Sequence, residues 1–298
     1  MLSETAVDQT RICTNQSAQI SEAMSLCELT STPVMDERYW STLKLSSLQG
    51  GNFSKIFEFP DGTLGKLVLR GDAQKEVRIL RRISKVPNVV QILGEFLVDG
   101  RVMIHQPFGG PNLFSCVDDV SVQSCVIIMC QLVRALSHLH CMWIVHRDIK
   151  LENVVFDGQN AVLIDFGLAH EFSQDDSGML SDATGSLHYL PPEVFAMHPY
   201  NAYKSDVWAT GVVLFGLLFK NFPFKPPHPD NNVYSKMLNL QQCHNFSPLD
   251  SISTVYQIQV DHLPEWKQML DGMLEHDSNK RFTILEVACE MDKIVQSS

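Results

Sequence analysis

Positive charge is scarce in this chain. Its 23 Lys and Arg face 34 Asp and Glu across 298 residues, a formal net charge of −11. A nucleic-acid binder normally carries a basic stripe, so no nucleic-acid partner is expected, and any site that handles phosphate must gather its few cations locally. Long apolar runs are missing too. The longest, Val207 to Phe219, falls well under the roughly 18 residues needed to span a bilayer, so it reads as a buried helix and no membrane partner is expected. Residues 1–30 mix Glu4, Asp8, Arg11, Glu22 and Glu28 with Ser, Thr and Gln and make no apolar run, so no secretory signal is expected there. The cysteines (Cys13, Cys27, Cys116, Cys125, Cys130, Cys141, Cys243 and Cys289) occur singly, with no close pair at zinc-ligand spacing. They read as reduced core or helix residues of an intracellular protein, cytoplasmic or nuclear. His138, His140, Cys141 and His146 lie near one another in sequence, but positions 138 and 140 point to opposed sides of a helix and cannot chelate together. The length and a hydrophobic content of 45% suit one large domain or two lobes around a sizeable core.

What is present is concentrated between residues 146 and 167, which read HRDIKLENVVFDGQNAVLIDFG. His146, Arg147, Asp148, Lys150 and Asn153 are followed, across an apolar strand pattern, by Asp165, Phe166 and Gly167. Phosphoryl transfer needs one carboxylate to accept the proton of an attacking hydroxyl and oxygen ligands for magnesium; two Asp and an Asn in ordered positions can supply both.

This constellation resembles the signature of the eukaryotic-type serine/threonine protein kinases, and the resemblance runs from about Leu43 to the C-terminal helix near Met291. It implies an α+β, bilobal fold. A small antiparallel sheet with one helix would occupy residues 43–106, and a larger, mainly helical lobe residues 107–293. A flexible tail at 1–42, with Pro33 marking a break, and a short tail at 294–298 would flank them. The resemblance further implies ATP and Mg2+ as cofactors. Asp148 would be the catalytic base, Lys150 would neutralise charge on the phosphoryl group in flight, and Asn153 and Asp165 would hold the metal.

The small lobe departs from the family pattern. Leu48, Gln49, Gly50, Gly51, Asn52, Phe53, Ser54, Lys55 and Ile56 stand where the family places its glycine-rich loop over the ATP phosphates, yet Gln49 and Ser54 occupy two of the three glycine positions. The next strand, Thr63 to Arg70, follows a short hairpin at Asp61 and Gly62 and offers two phosphate-gripping residues, Lys66 and Arg70, which an even separation places on one face of a strand. Lys66 is favoured because a guanidinium fork is seldom an equal substitute for a point ammonium. Asp72 reads as the cap of a helix with Val77, Leu80 and Ile83 at helical spacing, and Glu76 falls where the family has the glutamate that pairs with the lysine. The link between strand and helix is unusually short, which leaves the reach of that pair open. Asn88 to Phe96 and Arg101 to Ile104 read as two further strands, and Ile104 to Pro107 as the hinge whose backbone contacts adenine before Gly109 and Gly110 lead into the large lobe.

Further on, Ser121 to Met142 reads as a helix with Ile127, Leu132, Leu136 and Leu139 as core positions. The resemblance pairs Glu193 with Arg281 and makes Asp206 a brace for the backbone of the catalytic loop. Lys150 and the Gly185-Ser186 step imply serine or threonine acceptors on a protein substrate. Arg147 would clamp a phosphate on the activation segment, with Thr184, Ser181 and Ser177 as candidate sites, or an acidic mimic, Asp175 or Asp176. A monomer is expected. The alternative is a pseudokinase scaffold that keeps the fold for binding partners, favoured by Gln49, Ser54 and the short link and opposed by the intact Asp148, Lys150, Asn153 and Asp165. The trimmed small lobe also resembles the divergent kinases of some large DNA viruses, which would place the protein in a host cell.

Overall fold

In a computed structural model the described residues are 46–48, 54–59, 61–98, 100–107, 109–196, 199–224, 232–244, 246–257 and 264–297. The small lobe is a five-stranded antiparallel sheet in the order β1-β2-β3-β5-β4, with β1 Ser46–Leu48, β2 Ser54–Glu58, β3 Leu64–Leu69, β4 Gly94–Val98 and β5 Arg101–Gln106. One helix, α1 Arg70–Arg82, packs against β3 and β5. Phe59, Phe96 and Met103 form a separate apolar cluster on the sheet with Phe57 and Leu67. Gly65 makes that cluster possible, since a Cβ there would stand 2.6 Å from Met103 Sδ and 2.8 Å from Phe59 Cζ.

Three expectations about this lobe fail. The strand stops at Leu69 and Arg70 is already helical, so the parity that placed Lys66 and Arg70 on one face does not extend to Arg70. Asp72 is not the cap: Leu69 holds that position without a side-chain hydrogen bond, and Asp72 lies in the first turn, where its charge suits the helix dipole. The stretch from Asn88 to Leu93, despite its β-like composition, is not a strand of the sheet. Asn88 turns through the left-handed region at φ 61°, and its neighbours bond to the other lobe, Val90 N–H to Leu163 O at 2.9 Å and Leu163 N–H to Asn88 O at 2.9 Å. This crossing ties the small lobe to β8 of the large lobe.

The large lobe follows. A short helix, α2 Leu113–Cys116, leads into α3 Val122–Cys141, which Ser121 caps by accepting the Ser124 N–H at 3.1 Å. Then come β6 Ile144–Val145, β7 Val154–Phe156, β8 Ala161–Leu163, β9 His170–Glu171 and β10 Met179–Leu180. These form small antiparallel pairs, β6 with β9 and β7 with β8, while β10 pairs with β11 Tyr200–Asn201 beyond the short helix α4 Pro192–Phe195. Helices α5 Ala202–Phe219, α6 Asn232–His244, α7 Pro248–Tyr256, α8 Pro264–Met273 and α9 Ile284–Ser297 complete the lobe. Helix α5 is buried along nearly its whole length, as its apolar run predicts.

Helix α3 buries Cys125, Ile128, Met129, Leu132, Val133, Leu136 and Leu139, whereas Ile127 is 40% exposed; the core face is rotated by one residue from the predicted one at that turn. By length and composition α3 is the one helix among the described residues apolar enough to cross a membrane, and it packs on α5, α9, β6 and β8. Cys116, Cys125, Cys130 and Cys289 form no disulfide, and burial pushes the Cys125 thiol up to about 12, so it sits in the core as a small apolar group.

Candidate active site

Lys66 lies opposite Ile104 on β5 and Ile56 on β2, so its side chain leaves the sheet on the face they share. Because β3 runs into α1 without a loop, Glu76 arrives less than two turns later, directly over the ammonium. Lys66 Nζ donates to Glu76 Oε1 at 2.8 Å and Oε2 at 2.9 Å, and to Asp165 Oδ1 at 2.6 Å. The absent link therefore delivers the pair instead of straining it. The Arg70 side chain lies outside the described residues. Burial alone would lower the Lys66 pKa, but Glu76 and then Asp165 outweigh it and hold it above the ordinary 10.5. For Asp165 burial pushes upward, and the Lys66 charge and hydrogen bond overcome it, so this carboxyl stays below its ordinary value.

Asp165 occupies the left-handed region at φ 63° and accepts the Gly167 N–H at 3.2 Å. Asp148, on the loop after β6, is buried and surrounded by donors. Its Oδ1 accepts from Ser186 Oγ at 2.8 Å, and its Oδ2 from Lys150 Nζ at 2.7 Å and Asn153 Nδ2 at 3.0 Å. Lys150 Nζ also donates to Ser186 Oγ at 2.8 Å, closing a triangle of base, ammonium and hydroxyl. Asn153 uses its Nδ2 on Asp148 O and Oδ2, leaving Oδ1 as the atom with which it could ligate a cation. A carboxylate and a carboxamide oxygen at Asp165 and Asn153 fit magnesium, which usually takes few protein ligands and completes its shell with phosphates and water.

The loop is held from below. Asp206 at the start of α5 accepts the N–H of His146 and that of Arg147, each at 2.9 Å, and contacts His140 Nε2 at 3.1 Å. His146 accepts the Asp148 N–H on Nδ1 at 3.3 Å, which leaves Nε2 to donate to Ile164 O at 3.0 Å and ties the loop to the strand leading to Asp165. The histidines near α3 thus serve separate partners: His138 meets Arg134 O at 2.7 Å while His140 and His146 go to Asp206 and Ile164. Gly185, at φ 120°, crosses so close to the catalytic loop that a Cβ would stand 2.6 Å from Arg147 O. Glu193 pairs with Arg281 through Oε1 at 2.6 Å and Oε2 at 2.9 Å.

The rest of the predicted site is less complete. Leu48 pairs with Ile56 across β1 and β2; Gln49, Gly50, Gly51, Asn52 and Phe53 lie outside the described residues, as do the side chains of Leu48 and Ser54. Lys55 is exposed and Ile56 half-buried. At the predicted hinge, residues 104–106 are still rungs of β5 against β3, and Pro107 has no N–H to offer, only a carbonyl. Gln106 Nε2 is buried there without a hydrogen-bond partner.

Sequence reasoning missed Asp182. Neither Asp175 nor Asp176 meets Arg147: Asp176 accepts the Ser173 N–H at 2.6 Å in its own turn, whereas Asp182 Oδ2 pairs with Arg147 Nη2 and accepts from Thr184 Oγ1 at 2.9 Å. It also missed Tyr189, whose hydroxyl accepts the Leu151 N–H at 3.2 Å and donates to Glu152 Oε2 at 3.2 Å. No spacing rule points to either contact.

Comparison with known proteins agrees with this geometry. The protein kinase domain profile matches residues 65–291, more than half of the sequence, and the chain belongs to that family. The match begins at Gly65, after the 48–56 segment in which Gln49 and Ser54 stand at two of the three family glycine positions. Among curated proteins the chain is similar to the fatty acyl-CoA synthetase and RNA processing-associated kinase 1 of Saccharomyces cerevisiae, 30% identical over 79% of this chain and 28% of that protein. It is also similar to the serine/threonine-protein kinase CHK1 of the same yeast, 33% identical over 72% of this chain and 40% of the relative. The human serine/threonine-protein kinase STK11 is 28% identical over 78% of this chain and 51% of its own. The chain thus spans between about a quarter and a half of these relatives.

Proposed function

We propose that the protein is a serine/threonine-protein kinase that transfers the γ-phosphoryl group of ATP to hydroxyls of a protein substrate. The observation that carries this is the triangle of Asp148, Lys150 and Ser186. An aliphatic hydroxyl of the chain itself already donates to Asp148 Oδ1 at 2.8 Å and accepts from Lys150 Nζ at 2.8 Å, the arrangement an acceptor serine or threonine requires. Asp148 orients the incoming hydroxyl and takes its proton. Lys150 lies 2.7 Å from that carboxylate and stabilises charge beside it. Lys66, aimed by Glu76, grips phosphate oxygens; Asp165 and Asn153 hold magnesium. When bound, ATP supplies the phosphoryl group and its metal ions neutralise charge on the phosphate oxygens. That the yeast CHK1 and human STK11 relatives are named serine/threonine-protein kinases supports serine/threonine specificity.

The test is transfer of labelled γ-phosphate from ATP with magnesium to a generic protein acceptor, comparing the full chain with Asp148→Asn. Label on serine or threonine that disappears in the variant is the expected result. A folded, nucleotide-binding wild-type chain that transfers nothing would return the reading to a scaffold.

A further inference from the structure

The contact between the catalytic loop and the segment that follows Gly167 has a feature that the transfer chemistry does not use. Arg147 is nearly enclosed, its side chain 7% exposed, and its backbone sits in the left-handed region at φ 69°. Its Nη2 pairs with Asp182, while its Nε is buried without a partner. The backbone carbonyl of Asp182 accepts from Tyr200 Oη at 3.0 Å, and its side chain accepts from Thr184 Oγ1, so the residue is fixed at both ends. Two more basic side chains interact electrostatically with the pair. Lys75 of α1 is held below its ordinary pKa by burial and then by the Arg147 charge, with Asp182 pulling the other way. His170 of β9 is depressed by burial, then by Lys75 and Arg147, and again Asp182 opposes. Residues from α1, the catalytic loop and β9 thus converge on one carboxylate that the chain encodes.

We propose that Asp182 is a positioning residue: its carboxylate, bound by Arg147, holds residues 181–186 on the catalytic loop without covalent modification, so that phosphotransfer needs no prior phosphorylation of this segment. The second half of this inference rests on the kinase reading above. Ser186, which touches Asp148, lies four residues beyond Asp182, and Gly185 between them is packed on Arg147 O. Releasing Asp182 therefore loosens the stretch that forms one corner of the Asp148, Lys150 and Ser186 triangle. Phosphorylation of Thr184 would work against this contact. Its hydroxyl already donates to Asp182, and a phosphate there would set like charges side by side and compete for Arg147.

The experiment uses the full chain, stripped of phosphate by a broad-specificity phosphatase and checked by intact mass, with two readouts. Amide hydrogen exchange over residues 173–190 should be equally slow in wild type and Asp182→Glu and at least about tenfold faster in Asp182→Asn. In transfer assays Asp182→Asn should lower kcat at least about tenfold with KM for ATP changed less than about twofold, and Asp182→Glu should restore most of kcat. Unchanged exchange and unchanged kcat in Asp182→Asn would overturn the proposal, as would a wild type whose segment loses protection when dephosphorylated. A wild type silent in every phosphorylation state would instead defeat the kinase reading, and the exchange data would still decide whether Asp182 holds the segment.

Discussion

Lys66 and Arg281 are both nearly enclosed cations facing carboxylates, 7% and 1% exposed, yet their surroundings differ in kind. Arg281 is satisfied within one lobe: two bonds to Glu193, one from Nε to Glu275 O at 2.9 Å, one from Nη1 to Lys204 O at 3.1 Å, and Trp208 under the guanidinium at 4.9 Å. Lys66 is a point charge shared between Glu76 of the small lobe and Asp165 of the large one, leaving the cleft with one carboxylate in excess. A cation satisfied inside one lobe fixes geometry there, whereas two carboxylates sharing one ammonium carry surplus negative charge that favours a further cation. The large-lobe pair is architecture; the cleft group carries the charge imbalance on which the proposed metal binding rests.

The strongest way to break this contrast is to exchange the expected costs. Arg281→Ala leaves Glu193 unpaired and should destabilise folding by about 3–5 kcal/mol, measured by denaturant unfolding. Lys66→Met should cost transfer about 10²–10³-fold, while its melting temperature moves less than that of Arg281→Ala. Arg70→Met should spare transfer, because Arg70 begins the helix instead of continuing the lysine strand. Unfolding by Lys66→Met with Arg281→Ala tolerated would erase the distinction, and loss of transfer in Arg70→Met alone would move the phosphate contact to that residue.

The two lobes were also unequally legible. Asp148, Lys150, Asn153 and Asp165 could be picked out because they belong to short motifs with fixed internal spacing, and the contacts of Asp206, Glu193 and Arg281 fall where the family resemblance implies. In the small lobe the outcome depended on a junction of β3 and α1 that no spacing specifies. Short-range patterning left open whether so short a link lets Lys66 meet Glu76; the helix starts in place of the link and closes the pair. Asn88 to Leu93 reads as a strand because its side chains suit one, but the partner for its backbone is β8 of the other lobe, a long-range choice invisible to local pattern. Asp182 escaped for the same reason: its partner Arg147 is 35 residues away, and two other acidic residues lay in the same loop.

Two smaller effects sharpen the contrast from the large-lobe side. Gly272 in α8 lies against the ring of Phe282, next to Arg281; a Cβ there would stand 2.1 Å from Phe282 Cε2. Gly272→Ala should therefore destabilise by about 1–3 kcal/mol through overpacking, seen as a lowered unfolding midpoint with unchanged KM for ATP.

Acid should also act on the two regions differently. The contribution of Lys66, with its raised pKa, is complete below the ordinary 10.5 and is lost only as pH rises through the folded value. That of Asp165, with its lowered pKa, is complete above 3.8 and is lost as pH falls through the folded value, so neither changes between pH 5 and 8. His276 is different. Burial and then the Arg281 charge hold it below the ordinary 6.5, and Tyr234 Oη contacts its Nδ1 at 2.6 Å. Below pH 6.5 the unfolded chain takes up a proton that the folded one resists, so stability falls with pH by at most about 1.4 kcal/mol per pH unit from this residue. His105 and His170 are depressed as well and add to the same slope. His276→Gln should flatten the dependence of melting temperature between pH 7.5 and 5.5 relative to wild type, as expected if the acid-sensitive part of the fold lies beside Arg281; an unaltered slope would assign that sensitivity to the small lobe and activation segment.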